Sequence, residues 1–158
     1  MVTDVEDARR RAAAVPDPEL PVVTLGDLGV IRDVRERDGG LEVVITPTYS
    51  GCPAMDAIRA DIERAVPGAT VTTVLAPAWS TDWITDEGRE KLRVHGISPP
   101  RRLQRAPGEG PVALELTARC PRCGSTRARL VSRYGSTSCK ALFTCQDCLE
   151  PFDHFKEI

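Results

Sequence analysis

The sequence predicts an α+β fold: a small α/β sandwich of order α-β-β-α-β-α, followed by a β-rich module stapled by metal. Three observations predict it. Helical and strand-like patterns alternate through residues 1–96. A Pro- and Gly-rich stretch, ISPPRRLQRAPGEGP at 97–111, then interrupts both and reads as a linker. Beyond it, in residues 112–158, two Cys-x-x-Cys pairs stand 21 residues apart.

The first element is a helix from Val5 to Val15, with Asp4 as its cap and Glu6 and Asp7 suited to its first turn. Pro16 ends it, and Asp17-Pro18-Glu19-Leu20-Pro21 reads as a stiff, extended loop. Val30–Arg37 is rich in β-branched residues and Leu41–Thr46 is the returning strand. Asp38-Gly39-Gly40 forms the hairpin turn between them. Pro53 suits the first position of the next helix, Ala54 to Val66, where Met55, Ile58, Ile62 and Ala65 recur at helical spacing. Pro67-Gly68 stops it. Thr70–Leu75 is the third strand, and Thr85 caps a last helix that closes near Gly96.

Composition narrows the function classes. At 41% hydrophobic and 28% charged residues, the chain reads as a soluble globular protein. No apolar run reaches the roughly 18 residues that span a bilayer. The start, MVTDVEDARRR, lacks the apolar core of a signal peptide, so the expected compartment is the cytoplasm. Thiols stay reduced there, and clustered cysteines then point to metal. Residues 1–96 carry 11 basic and 17 acidic side chains, and residues 97–158 carry 10 and 6. An acidic front with a mildly basic back is not a nucleic-acid footprint.

The strongest motif is Cys120-Pro-Arg-Cys123 with Cys145-Gln-Asp-Cys148. Two residues between cysteines let both sulfurs of a tight turn face one ion, and two such turns complete a tetrahedron suited to Zn²⁺. Gly124 follows the first pair, where the turn favours a residue without Cβ. A hairpin, Arg127–Ser132 with Lys140–Thr144, fits between the pairs. The segment has few large apolar residues, so metal supplies its folding energy. Disulfides and iron are the alternatives for these thiols. A four-cysteine site leaves no position for substrate, so its expected role is structural.

Two cysteines remain. Cys52 precedes a helix, where the positive end of the dipole favours thiolate. It is either a reactive or metal-binding sulfur or a small residue filling a loop junction. Cys139 lies between the knuckles beside Lys140. It reads as a thiolate, as a structural residue at a hairpin tip, or as a partner of Cys52 in a shared labile site. Asp17 and Glu19 are metal ligands, a base, or solvated charges. Trp79 and Trp83 read as loop anchors, His95 as a helix-end partner, and His154 lies on the final strand. No phosphate loop, HExxH or GxSxG motif is present.

Three stretches carry a resemblance: Asp17-Pro18-Glu19-Leu20-Pro21, Leu25-Gly26-Asp27-Leu28-Gly29-Val30-Ile31, and Thr46-Pro47-Thr48 leading to Gly51-Cys52-Pro53. Together they resemble the MIP18 (DUF59) family of iron-sulfur assembly proteins. The tail, from Cys120-Pro-Arg-Cys123-Gly-Ser through Gly135-Ser-Thr-Ser-Cys139-Lys-Ala-Leu to Cys145 and Glu150-Pro151-Phe152, is similar to the D-subunit family of phenylacetyl-CoA epoxidase (phenylacetate-CoA oxygenase). The resemblance implies a MIP18-like domain followed by a zinc ribbon. It implies an accessory protein that assists maturation of the oxygenase of aerobic phenylacetate degradation, with no catalysis of its own. The implied clients are the di-iron catalytic subunit or the iron-sulfur reductase. The family's cysteine maps to Cys52, its acidic loop to Asp17 and Glu19, and its threonines to Thr46 or Thr48. The implied cofactors are a structural Zn²⁺ and a transient iron or iron-sulfur cluster.

The residues agree on one negative point. Di-iron oxygenation needs carboxylates and histidines on facing helices, and this chain has two histidines and no Glu-x-x-His. Two rival readings stand beside the maturation factor. One is a non-catalytic structural subunit of the oxygenase complex. The other is a zinc-ribbon nucleic-acid binder using Arg101, Arg102, Arg105, Arg127, Arg129 and Arg133, against which the acidic front argues.

Overall fold

A computed structural model of the protein describes residues 4–49, 51–102 and 117–157. The chain divides into two compact units, residues 1–88 and 89–158.

The first unit begins with α1 (Val5–Ala13), capped by the Asp4 carboxylate, which accepts the Glu6 N–H. Its acids lie in the first turn and Arg10 and Arg11 in the last, matching the helix dipole. Ala8 and Ala12 form its buried stripe. The segment after it is not the extended loop the prolines suggest. It bends about Asp17, whose Oδ1 accepts the N–H groups of Glu19 and Leu20 at 2.9 and 2.8 Å. A one-turn helix α2 (Leu25–Leu28) follows, with a capping box in which the Thr24 and Asp27 side chains each accept the other's N–H. Gly29 ends it at φ +70°, and a Cβ there would sit 2.7 Å from the Trp83 carbonyl oxygen.

β1 (Ile31–Arg37) and β2 (Gly40–Ile45) pair antiparallel, with Val34 opposite Val43 and Arg35 opposite Glu42. Asp38 and Gly39 both take positive φ, the geometry of a tight hairpin turn. β2 is the central strand, so Val43, Val44 and Ile45 are all buried. The helix α3 (Met55–Ala65) crosses over to β3 (Thr70–Thr73), which runs parallel to β2 with Val71 beside Val43. Ile58 and Ile62 of α3 join Leu25, Leu28, Val43 and Ile45 among the buried side chains, each contributing roughly 1.5–3 kcal/mol relative to exposure. Trp79 anchors the loop beyond β3: its Nε1–H donates to the Leu28 carbonyl at 2.8 Å. The Arg32 guanidinium lies 3.6 Å from the centre of the Trp83 ring. The helix α4 (Asp86–Val94) runs across the division between the units at residue 88 and is capped by Thr85, whose hydroxyl accepts the Gly88 N–H. At its other end, His95 bonds the Lys91 carbonyl through Nδ1.

The second unit is a four-stranded sheet in the order β4-β7-β6-β5, formed by β4 (Ile97–Ser98), β5 (Ala128–Ser132), β6 (Lys140–Cys145) and β7 (Pro151–Phe155). The sequence places Ile97 and Ser98 in a linker. The structure makes them a short strand parallel to β7, because Ile97 has sheet to cover and Ser98 has His154 to bond. Most of the remaining linker, 103–111, lies outside the described residues, as do residues 112–116 of the expected module. The core gathers Ala118, Ala141, Phe143 and Phe152 around Cys120 and Cys145, with the two phenylalanine rings stacked at 5.9 Å. Among the described residues, no helix is long and apolar enough to cross a membrane.

Candidate metal centre and the cysteine loop

The tight turns at residues 120–123 and 145–148 bring four sulfurs together, all within 4.8 Å of one another. Cys120 and Cys148 approach to 3.7 Å, and Cys123 and Cys145 to 3.5 Å. A tetrahedron of sulfurs about 2.3 Å from one Zn²⁺ has edges of about 3.8 Å. The donor set suits one tetrahedral ion, and the two shortest edges lie close to that value. Among the described residues this is the one cluster of three or more potential ligands.

The two knuckles share a backbone solution. The Gly124 N–H bonds the Cys120 carbonyl and the Cys120 N–H bonds the Ser125 carbonyl, while the Cys145 N–H bonds the Glu150 carbonyl. The residue after each second cysteine lies in the left-handed region: Gly124 at φ +75° and Leu149 at φ +64°. Sequence reasoning anticipates the glycine and misses the leucine. Leu149 carries the backbone strain that Gly124 avoids, and its side chain is 75% exposed. Asp147, inside the second pair, accepts from Arg127 at 2.7 Å and from the Ser125 hydroxyl. The Gln146 N–H adds a bond to the Arg127 carbonyl, so the two knuckles are laced together outside the sulfurs.

Without metal the thiols share protons unequally. The Cys145 thiol is pulled down to about 6, first by the Cys148 N–H directed at its sulfur and against the effect of burial. The Cys148 thiol is pushed up to about 12: the Glu150 N–H lowers it, but burial and the neighbouring sulfurs outweigh that. Binding a cation releases the remaining protons.

Cys52 is half-buried in the connection between β2 and α3. Its N–H bonds the Tyr49 carbonyl, and its carbonyl accepts the Met55 N–H at 3.4 Å. Pro53 is not the first helical residue, as the sequence suggests. The helix starts at Met55 with Ala54 as an N-cap that has no side-chain hydrogen bond, and Pro53 lies in the turn before it. Cys52 therefore sits at the approach to the helix rather than in its first turn. Thr48 is half-buried in the same connection. Thr46 is buried, and its Oγ1 has no hydrogen-bond partner among the described residues.

Asp17 is buried and committed through Oδ1 to its own turn. Burial pushes its pKa up, against the two N–H groups that lower it. Glu19 is half-buried beside it. Cys52, Asp17 and Glu19 do not form a ligand cluster with one another among the described residues. Cys139 belongs to the second unit, buried at the start of β6 with its sulfur 3.0 Å from the Thr137 hydroxyl. It lies in the connection between β5 and β6, where the Lys156 N–H bonds its carbonyl. The Lys140 ammonium faces Asp153 at 3.7 Å.

His154 is buried on β7, with Nδ1 3.1 Å from the Ser98 hydroxyl and Nε2 3.2 Å from Glu157. Burial pushes the Glu157 carboxyl up, but bonds from His154 and the Arg101 N–H hold it below its ordinary value. A lone histidine at the end of a strand gives no sequence signal of this link.

Comparison with known proteins matches two separate stretches of the chain. Residues 6–76 match the family of iron-sulfur cluster assembly proteins, and residues 104–156 match the PaaD zinc beta ribbon domain. The chain is 46% identical over 147 residues to the D subunit of the 1,2-phenylacetyl-CoA epoxidase of Escherichia coli (strain K12), covering 90% of this chain and 86% of that protein. It is 34% identical over 94 residues to an Fe-S protein maturation auxiliary factor of Porphyromonas gingivalis, covering 55% of this chain and 89% of that one. Among solved structures, the DUF59 domain from Bacillus anthracis superposes with a TM-score of 0.51 at 26% identity, covering 56% of this chain and 90% of that domain.

Proposed function

We propose a function from one premise: the chain belongs to the D-subunit family of 1,2-phenylacetyl-CoA epoxidase. Its role is accessory, built from an iron-sulfur assembly domain and a zinc ribbon. Our finer reading is a maturation factor that helps load iron or an iron-sulfur cluster into a client of the oxygenase, either the di-iron catalytic subunit or the iron-sulfur reductase. In this reading Cys120, Cys123, Cys145 and Cys148 hold a structural Zn²⁺, which supplies folding energy and no chemistry. Cys52 handles the cargo.

The observation that carries the reading is the division of sulfur. Four thiols are gathered into one closed tetrahedron, while Cys52 stands half-buried in a separate loop. Transfer of a metal needs a site that is not fully closed, and one thiolate with weak oxygen neighbours meets that need. Thr46, at the start of the same connection, has a buried hydroxyl without a partner among the described residues. Asp17, Glu19 and Thr48, in the same unit as Cys52, are secondary candidates for the same task.

The test is Cys52→Ala, with Cys52→Ser beside it, co-expressed with the oxygenase subunits. The expected result is unchanged zinc content and circular dichroism, with depressed iron content and activity of the oxygenase. Anaerobic reconstitution with iron and sulfide should give a visible chromophore in the wild type and not in Cys52→Ala. Normal levels of loaded oxygenase in Cys52→Ala would overturn the reading.

A stoichiometric structural component of the complex is the second reading. The large exposed side chains Tyr134 and Leu149 on the ribbon favour it, as contacts for a permanent partner. Fixed-ratio co-purification with active oxygenase, insensitive to Cys52 substitution, would select it.

A further inference from the structure

The second unit contains a cavity of about 580 Å³ that the proposed maturation role does not use. Its wall includes Arg93, Arg101 and Arg119. Arg93 is already neutralised, its Nε 2.8 Å from Glu90. The guanidinium groups of Arg101 and Arg119 have no ion pair or hydrogen bond among the described residues. Thr117 also lines the cavity, and its Oγ1 is buried with no hydrogen-bond partner among the described residues. Two positive charges and a hydroxyl, all without partners among the described residues, thus face one space. Pro99 and Pro121 add apolar wall.

We propose that this cavity binds a small organic phosphomonoester, with Arg101 and Arg119 taking the phosphate. The charges match, because a phosphomonoester carries about −1.5 to −2 at neutral pH. Guanidinium forks suit phosphate oxygens, and the Thr117 hydroxyl can donate to a third. The size matches as well. Ligand cavities span roughly 300–1,000 Å³, far more than a bare phosphate fills, so the ligand carries an organic body that rests on the proline wall. One rival accounts for the same charges. Cys120 lines this cavity, and a zinc ion with four thiolates carries a net −2 that two arginines would offset.

The experiment is calorimetric titration of the zinc-loaded full chain with adenosine 5′-monophosphate, pantetheine 4′-phosphate, adenosine and inorganic phosphate. Binding of either phosphomonoester at one per chain, without binding of adenosine, supports the proposal, and the tighter of the two identifies the organic body. Arg101→Gln and Arg119→Gln should each weaken that binding by about tenfold or more. Arg129→Gln, which removes an exposed charge on β5 outside the cavity, should not. Zinc content is measured in every variant. Any one of three results would overturn the proposal: no saturable binding, with loss of zinc as the sole effect of Arg101→Gln and Arg119→Gln; equal weakening by Arg129→Gln; or inorganic phosphate binding as tightly as both organic phosphates.

Discussion

Asp147, between the two cysteines of the second knuckle, lies 2.7 Å from the guanidinium of Arg127, just beyond the first. The same carboxylate accepts from Ser125. This clasp closes the ring of backbone around the sulfurs from the outside. Both partners are substantially exposed, so the pair itself contributes on the order of 0–1 kcal/mol. Its larger effect is on the metal, because groups around a site orient its ligands. Asp147→Ala should release zinc to a competing chelator several-fold faster, with little change in Tm of the metal-loaded protein. An unchanged release rate would show that the sulfurs alone set metal retention.

Removal of metal should unfold the ribbon. Cys120 and Cys145 belong to its apolar core with Phe143 and Phe152, so separated knuckles expose that core. Chelation, or Cys145→Ser, should collapse the dispersed NMR signals of residues 117–157 while leaving those of Val43, Ile45 and Ile62 in place. Retention of the ribbon signals in metal-free protein would contradict a metal-dependent fold.

Leu149 offers a gain of stability. Its φ of +64° is costly for an L-residue, by roughly 1–2 kcal/mol, and its side chain is mostly exposed. Leu149→Gly should raise the stability of the metal-loaded protein by about 0.5–1 kcal/mol after the greater chain entropy of glycine is counted. Gly124→Ala at the matching position should lower it. A fall in Tm for Leu149→Gly would mean that the side chain makes a contact worth more than the strain.

Glu42 predicts a pH dependence. Its buried carboxylate accepts from Thr72 at 2.7 Å, Arg35 at 2.8 Å and Arg37 at 3.0 Å. These partners, Thr72 first, lower its pKa from 4.5 to about 2. The folded value lies below the unfolded one. The contribution is therefore fully present above the ordinary carboxylate range and is lost as pH falls from about 4.5 towards 2. Stability of wild type minus that of Glu42→Gln should be flat above this window and shrink within it. A constant difference across the window would show that Glu42 titrates normally.

Much of the fold was legible because local chemistry decides it. Gly39 after Asp38, the helical spacing of Ile58 and Ile62, and the paired cysteines all report structure within a few residues of themselves. Legibility failed where a distant partner set the outcome. Pro53 reads as a helix start, but the chain needs a turn after Cys52 before α3 can begin at Met55. Ile97 and Ser98 read as linker, but β7 offers them an edge and His154 offers Ser98 a bond. Asp17 reads as one of several loop carboxylates, and the turn it organises buries it. Of the candidate site, the four-sulfur cluster was readable from spacing. The surroundings of Cys52 were not, because they depend on how β2 delivers the chain to α3.

By itself, the sequence determined the periodic elements, the two-part organisation and the identity of the thiols that gather into one cluster, since each follows from short-range spacing and side-chain chemistry. Only the tertiary structure decided which polar groups lose water. It placed Glu42 beneath two arginines, left the Thr46 and Thr117 hydroxyls without partners among the described residues, and left two guanidinium groups facing one cavity. Burial and pairing arise from residues far apart in the chain, and no local pattern encodes them.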